Sequence, residues 1–251
     1  MQVDFTRERL PTVTYYQTIA DYYDLLMDGG YYNHESLATS IRSIIGPRKR
    51  LLELGVGTGR LAQELLKLDP SYDFVGIDFS PAMIEIARKR LSNRVPLIEC
   101  DVAKMNLDRK FDAAISSGGT WVIVQSNDEL LLGTHLFNQE NDFHGLQSVS
   151  NHLDPGGLMV LSVHPPHEER ELELGDEIIY AQKIGECSGE SDHFFFEKTY
   201  SFRKNGTLLA EETLTLGFYK KTVFLKMLED VGFKYLGMAD TGKFCVFEKH
   251  A

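Results

Sequence analysis

Between residues 50 and 68 a short apolar run, Arg50-Leu51-Leu52-Glu53-Leu54, meets the turn Gly55-Val56-Gly57-Thr58-Gly59 and then a stretch with leucines at 61, 65, 66 and 68. A buried strand that breaks on glycines into a helix is the opening unit of an open parallel sheet. Glycine serves there because the backbone can turn sharply and approach a ligand with no Cβ in the way. The rhythm continues. Phe74-Val75-Gly76-Ile77 reads as a second strand stopping at Asp78, and Ser80 and Pro81 then supply the N-cap and first-turn proline of a helix carrying Met83, Ile84, Ala87 and Leu91. A third strand, Pro96 to Cys100, ends at Asp101; a fourth, Phe111 to Ser116, enters Ser117-Gly118-Gly119-Thr120-Trp121. A fifth, Leu158 to Val163, follows the turn Asp154-Pro155-Gly156-Gly157. Strands alternating with helical stretches predict a doubly wound, Rossmann-like α/β fold.

The flanks depart from that rhythm. From about Thr14 to Ile45 the chain reads as two helices broken at Asp28-Gly29-Gly30 and rich in tyrosine, with Tyr15, Tyr16, Tyr22, Tyr23, Tyr31 and Tyr32. After His164 the period falls to two: Phe194, Phe196, Tyr200 and Phe202 share a face, and Lys204-Asn205-Gly206-Thr207 is a two-residue hairpin signal. A last helix and two closely joined strands, Lys234 to Met238 and Phe244 to Glu248, predict an antiparallel end hairpin. The expected organisation is N-terminal helices forming a lid over 1–45 and a mostly parallel, seven-stranded core over 46–165 and 219–251. Residues 166–218 are expected as an inserted antiparallel β lid.

Composition narrows the class of partner. The 251 residues carry a net charge of -11, so the mean surface field repels phosphate backbones, and the basic runs Arg48-Lys49-Arg50 and Arg88-Lys89-Arg90 are short. A small-molecule acceptor is expected, with no nucleic acid. The cysteines, Cys100, Cys187 and Cys245, are scattered, without the spacing of a zinc site or a disulfide framework, so no metal is expected. No signal peptide or long apolar span is legible, which predicts a cytoplasmic protein with no membrane contact. A homodimer is compatible with the aromatic face of the insertion.

Three acids at successive strand tips carry the chemistry. Glu53 precedes the glycines, Asp78 ends the second strand about 20 residues later, where a carboxylate accepts ribose hydroxyls, and Asp101 follows the third strand, where it can take the exocyclic amine of adenine. The bland reading of Asp101 is a cap or turn. A dinucleotide site wants G-x-G-x-x-G, whereas Arg60 follows Gly59 here, and pyrophosphate has no use for Glu53. A cationic ligand does.

Glu53 to Gly59, Gly76-Ile77-Asp78-Phe79-Ser80, Glu99-Cys100-Asp101 and Leu153-Asp154-Pro155-Gly156-Gly157 resemble the ordered signature blocks of class I S-adenosylmethionine-dependent methyltransferases. Within that class, Ile19-Ala20-Asp21-Tyr22-Tyr23-Asp24, the inserted hairpin and Leu216-Gly217-Phe218-Tyr219 are similar to glycine N-methyltransferase and the aminosugar N,N-dimethyltransferases. The resemblance implies S-adenosylmethionine as cofactor, leaving as S-adenosylhomocysteine. It implies Tyr23 and Tyr32 at the methionine end, Glu53, Gly55, Gly57, Gly59, Asp78, Phe79, Met83, Asp101 and Val102 along the cofactor, and the backbone of Ser117 and Gly118 beside the sulfonium. Gly119, Thr120 and Trp121 would begin the acceptor pocket, joined by His164. Gly119 and His164 stand where glycine N-methyltransferase has an asparagine and an arginine for its substrate, which argues against glycine as acceptor.

Methyl transfer needs alignment and exclusion of water. A neutral amine needs little more, whereas a hydroxyl nucleophile needs a base. Tyr23 and His164 are the expected catalytic groups, with His135 and His144 as further histidines after Trp121. The leading expectation is a small-molecule N-methyltransferase of specialised metabolism. A small-molecule O-methyltransferase with a histidine base, a nicotinamide oxidoreductase and a non-enzymatic binding scaffold stay open.

Overall fold

The computed structural model describes residues 15–126, 129–136 and 138–250; the expected lid residues 1–14 lie outside them. The chain enters through α1 (Ala20–Leu26), continues through a π-helical stretch, Met27–Tyr31, broken at left-handed Gly30, and resumes as α2 (His34–Ile45). The break falls where the two glycines predict it. The alternating run follows: β1 (Arg50–Leu54), α3 (Arg60–Leu68), β2 (Asp73–Asp78), α4 (Pro81–Leu91), β3 (Leu97–Glu99) and β4 (Phe111–Ser116). Ser80 caps α4 by accepting from the Met83 N–H, with Pro81 in the first turn.

Beyond β4 come β5 (Trp121–Ser126), β6 (Glu129–Thr134), α5 (Gln139–His152) and β7 (Leu153–His164). The chain then runs through β8 (Arg170–Leu174), β9 (Ile178–Ile184), the short β10 (Ser188–Gly189), β11 (His193–Lys204) and β12 (Thr207–Lys220). It closes with α6 (Lys221–Asp230), β13 (Phe233–Met238) and β14 (Phe244–Lys249). The central sheet has the order β3-β2-β1-β4-β7, all parallel, with β14 antiparallel to β7 and β13 antiparallel to β14. These are the seven strands expected, with the antiparallel pair at the end.

Period-two alternation sends neighbouring side chains to opposite faces, and each face is covered by helices. Leu51, Ala113, Ile115 and Val160 pack with Ile41, Leu61, Leu65 and Ile84. Leu52, Ala114, Met159 and Leu161 pack with Leu146, Val149, Phe224 and Leu228 from α5 and α6. Strands buried on both sides read as near-continuous apolar runs, which is why β1, β4 and β7 are plain in the sequence.

A second sheet leaves the first at the C-terminal end of β7. Ile123 and Val124 of β5 pair in parallel with Val163 and His164, and the order then runs β5-β6-β12-β11-β9-β8, all antiparallel. The antiparallel layer is therefore wider than residues 166–218, because the hairpin of β5 and β6 belongs to it. The signal for that hairpin is in Val122-Ile123-Val124 and Leu130-Leu131-Leu132, apolar runs too short for helices. Asn205 and Gly206 both have positive φ, as the hairpin turn between β11 and β12 requires. The N-terminal segment packs on this sheet: Tyr15, Ile19, Leu26 and Met27 bury against Tyr180, Tyr200, Phe202 and Leu214. Glu212 of β12 fixes it further, accepting from Thr18 N–H and Oγ1 at 3.0 and 2.8 Å. No helix among the described residues is long and apolar enough to cross a membrane.

Candidate functional site

The C-terminal tips of β1, β2 and β3, the loop after β4, and the N-terminal segment enclose a cavity of about 550 Å3. Its floor is the turn after β1. Gly57 has φ +54, and a Cβ added there would meet no atom within 4 Å. Gly55 and Gly119 have the opposite need: a Cβ on Gly55 would stand 2.7 Å from the Gly119 Cα, and one on Gly119 2.3 Å from the Leu54 carbonyl oxygen. Two loops meet there backbone to backbone. Gly59 lies outside the cavity lining; it is the left-handed residue before α3 and packs against Leu91 and Ala87 of α4.

The acids stand as the strand tips dictate. Asp78 is buried, and its carboxylate accepts from the Gly57 N–H at 2.8 Å and the Ser80 N–H at 2.9 Å, so it shapes the glycine turn as well as lining the cavity. Burial pushes its carboxyl up to about 6, against the downward pull of those amides. Glu53 is buried too, and its Oε2 has no hydrogen-bond partner among the described residues. Burial first, and then the nearby Asp78, raise its carboxyl well above the usual range. Asp101 is half-exposed, caps the turn Val102–Lys104 through the Ala103 N–H at 3.0 Å, and still lines the cavity. The N-terminal segment is pinned over the glycine turn by Asp24, which accepts from Thr58 Oγ1 and Arg60 Nε, each at 2.7 Å, and pairs with Arg90.

A family model described as a methyltransferase domain matches residues 51–132. Malonyl-(acyl-carrier protein) O-methyltransferase 1 of Ilyobacter polytropus is 29% identical over 72% of this chain and 62% of its own length. Demethylmenaquinone methyltransferase of Thermus thermophilus is 32% identical over 47% of this chain and 48% of its own. The chain thus spans less than two thirds of the length of these curated relatives. The solved sugar N-methyltransferase of a Streptoalloteichus species superposes with a TM-score of 0.67 at 18% identity, covering 100% of this chain and 99% of that one. A SAM-bound amino pentose methyltransferase from Micromonospora echinaspora gives 0.65 at 18% identity, covering 91% and 96%. At such identities the structural likeness is one of fold.

Residues 51–132 match a methyltransferase-domain family, and the fold that surrounds them is the one seen in class I S-adenosylmethionine-dependent methyltransferases.

The cavity suits S-adenosylmethionine. A buried carboxylate oxygen without a partner asks for a cationic donor, and S-adenosylmethionine carries an ammonium; the open face of Gly57 leaves room for a ligand against the backbone. Tyr23, Phe79, Met83 and Val102 line the same space, as do Ser117, Gly118, Gly119 and Thr120. Tyr32 and His164 instead line a small annex of about 30 Å3, which shares Tyr16, Tyr23, Gly118 and His135 with the main cavity.

His164 stands one layer behind the main cavity, with both ring nitrogens engaged. Nδ1 lies 3.0 Å from the Tyr32 hydroxyl and Nε2 2.8 Å from Ser162 Oγ, which in turn accepts from the Gly118 N–H. One tautomer satisfies the chain: Ser162 donates to Nε2, and the Nδ1 proton goes to Tyr32 (an assignment from the network). Burial, followed by the Lys198 charge, holds this imidazole neutral, down to about 4. Its direct effect is to fix Ser162 and Tyr32 around Gly118.

Trp121 has a different place from the one expected. Its ring is fully buried in the core, its Nε1 donates to Asp142 at 2.7 Å, and it lines neither space. Thr120 lines the cavity, whereas Trp121, the first residue of β5, turns its ring into the core. His144 lies on a separate surface groove. His135 does line the cavity, with Nε2 3.2 Å from the Tyr16 hydroxyl. Tyr16, Leu136, Asn141 and Thr215 also line it and were not expected there. Tyr16 has a signal in the tyrosine-rich segment; Leu136 after β6, Asn141 in the first turn of α5 and Thr215 on β12 reach the cavity through long-range packing that short-range patterns do not carry.

Proposed function

We propose that this methyltransferase transfers the methyl group of S-adenosylmethionine to the amine nitrogen of a small molecule in specialised metabolism. The cofactor supplies a methyl carbon activated by positive sulfur. In this reading Glu53 holds the amino group of its methionine moiety, Asp78 the ribose hydroxyls, and Asp101 and Val102 the adenine. Phe79 and Met83 pack along it, and Gly55, Gly57 and Gly59 shape the turn beneath. The backbone of Ser117 and Gly118, with Tyr23 and Tyr32, surrounds the reacting end, and Gly119 and Thr120 border the acceptor.

The observation that carries the reading is the pair of buried acids, Glu53 and Asp78, at the foot of one cavity, the first with an oxygen unpartnered. An anionic floor of that kind selects a cation bearing hydroxyls over a pyrophosphate. Tyr23 stays protonated, since burial, then Tyr31 and Asp78, push its hydroxyl far up, so it acts as a donor and an aromatic wall. An amine acceptor needs only to arrive neutral and in line.

A second reading, O-methylation, is favoured by one feature. His135 lines the cavity, and burial keeps it neutral, down to about 4, so its Nε2 can take a proton passed through Tyr16. The curated relatives include an O-methyltransferase, and the structural neighbours include sugar N-methyltransferases. Incubation with methyl-labelled cofactor and a panel of matched amines and alcohols separates the two. N-methylation predicts labelled amines and a rate insensitive to His135→Ala. O-methylation predicts labelled ethers or esters and a loss of about 100-fold in that variant. Absence of any binding heat with S-adenosylhomocysteine would overturn both.

A further inference from the structure

The inserted sheet buries a charge that the methyl-transfer reading leaves unused. Along β11, Phe194, Phe196, Tyr200 and Phe202 occupy alternate positions, and Lys198 stands in the middle of their row. The lysine is 0% exposed. Its Nζ lies 3.2 Å from the Tyr31 hydroxyl, 3.3 Å from His167 Nδ1 and 4.6 Å from the centre of the Tyr200 ring. Among the described residues, the one charged neighbour that acts on it is Arg170, of the same sign. Glu212, which pairs with Tyr200 and so shares this face, is already taken by the backbone of Thr18 and Ile19.

A buried ammonium without a carboxylate is costly, and aromatic faces repay only part of that cost. Burial first, and then Arg170, bring its pKa down to about 7, the expected response to an unmet charge. Counting donors sharpens the point. A lysine ammonium has three N–H bonds and no acceptor. Two go to Tyr31 and to His167 Nδ1, which leaves one N–H, the Tyr31 O–H and the His167 Nε2–H to give. On the far side, Tyr32 accepts from His164 and keeps its own proton to donate. Tyr31, His167, Tyr200 and Tyr32 all line the annex beside Gly118. The annex is thus rimmed by donors, with an ammonium behind them, and at about 30 Å3 it admits a group of one or two water-sized atoms.

We propose that Lys198, with Tyr31 and His167, anchors a carboxylate of the methyl acceptor: the acidic head enters the annex while the atom to be methylated stays in the main cavity beside Gly118 and Tyr23. This inference rests on the methyltransferase reading and names the class of acceptor it takes. Lys198 sets specificity and does not touch the transferred methyl.

The test uses the full chain loaded with S-adenosylhomocysteine, the loading followed by calorimetry, and then titrated at pH 7 with 3-phenylpropionate or with its neutral analogue 3-phenylpropanamide. The acid is expected to bind at least about tenfold tighter than the amide. In Lys198→Met that advantage disappears, while Tm stays level or rises because a buried charge has gone. Equal affinities in the wild-type protein, no binding of the acid up to about 10 mM, or an undiminished preference in the variant each overturns the proposal. The wild-type comparison stands even if the variant fails to fold. No heat on loading would sink the methyltransferase reading itself; heat on loading followed by no discrimination sinks this inference alone.

Discussion

The two walls of the site bury charge in opposite ways. On the parallel-sheet side, Glu53 and Asp78 are buried acids at strand tips set by short connections, and backbone amides hold Asp78. On the antiparallel side, Tyr31, His164 and His167 form a donor-rich wall with Lys198 behind it, assembled from the N-terminal segment, the end of β7 and the stretch after it, and the middle of β11. The first wall suits a cationic cofactor and the second an anionic acceptor. Such a polarity across one space would orient both molecules, with the sulfonium end and the acceptor meeting near Gly118.

The hardest blow to the first wall is Gly57→Val. A branched side chain at φ +54 is strained, and it would project into the space the cofactor needs. Binding of S-adenosylhomocysteine should fall by more than about 1000-fold in calorimetry, with the circular dichroism of the fold retained. Retained affinity would show that the glycine turn is not the cofactor's seat.

Glu53→Gln comes next. It removes a charged acceptor for the cofactor's ammonium at a cost of about 2 kcal/mol, roughly 30-fold in affinity. The same change relieves a buried, unpartnered carboxylate, so Tm of the unliganded protein should rise. Affinity and stability moving in opposite directions is the signature of a functional group. Parallel losses would mark Glu53 as structural.

Much of the first wall is legible in the sequence because its determinants are local. A strand tip, a glycine turn and an acid lie within a few residues, and the fold brings successive tips to one edge. The second wall is built by contacts across more than a hundred residues, such as Tyr16 with His135 and Tyr32 with His164. Its hairpin of β5 and β6 pairs with β12 at residues 217–220, which no short pattern announces. Lys198 was hidden in plain view: the alternation over residues 194–202 has an aromatic ring at every other member of the face. A lone lysine in phase with an apolar face is the signal. Trp121 illustrates the converse, since its expected role came from a family position, while the strand it begins turns the ring to the core.

A third expectation sharpens the contrast through pH. Asp78 holds a proton up to about pH 6 in the folded chain but has an ordinary value of 3.8, so between those limits the folded state binds more protons than the unfolded one. Stability of the unliganded protein therefore falls as pH rises from 4 through 6. Asp142, raised to about 6 by burial, adds to the same slope. Cofactor affinity should move the other way, weakening about tenfold per pH unit below 6 as Asp78 gains its proton. Melting curves with and without S-adenosylhomocysteine check both slopes. A flat affinity between pH 5 and 7 would remove Asp78 from the ligand contacts.

The smallest effect is the most selective. Trp121→Phe keeps most of the buried ring but deletes the Nε1–H that reaches Asp142, which retains Thr134 Oγ1 at 2.6 Å and the Tyr219 hydroxyl at 2.9 Å. With two of three donors left, the loss of stability should be about 1 kcal/mol, seen as a modest drop in Tm. The Asp142 carboxyl, less well hydrated by donors, should titrate higher still, steepening the fall of stability with pH. Affinities for S-adenosylhomocysteine and for the acid and amide probes should stay within about twofold of the wild type, because the ring faces neither wall. A change in probe preference without a change in Tm would put Trp121 back among the acceptor contacts and would mean that β5 turns over when a ligand enters.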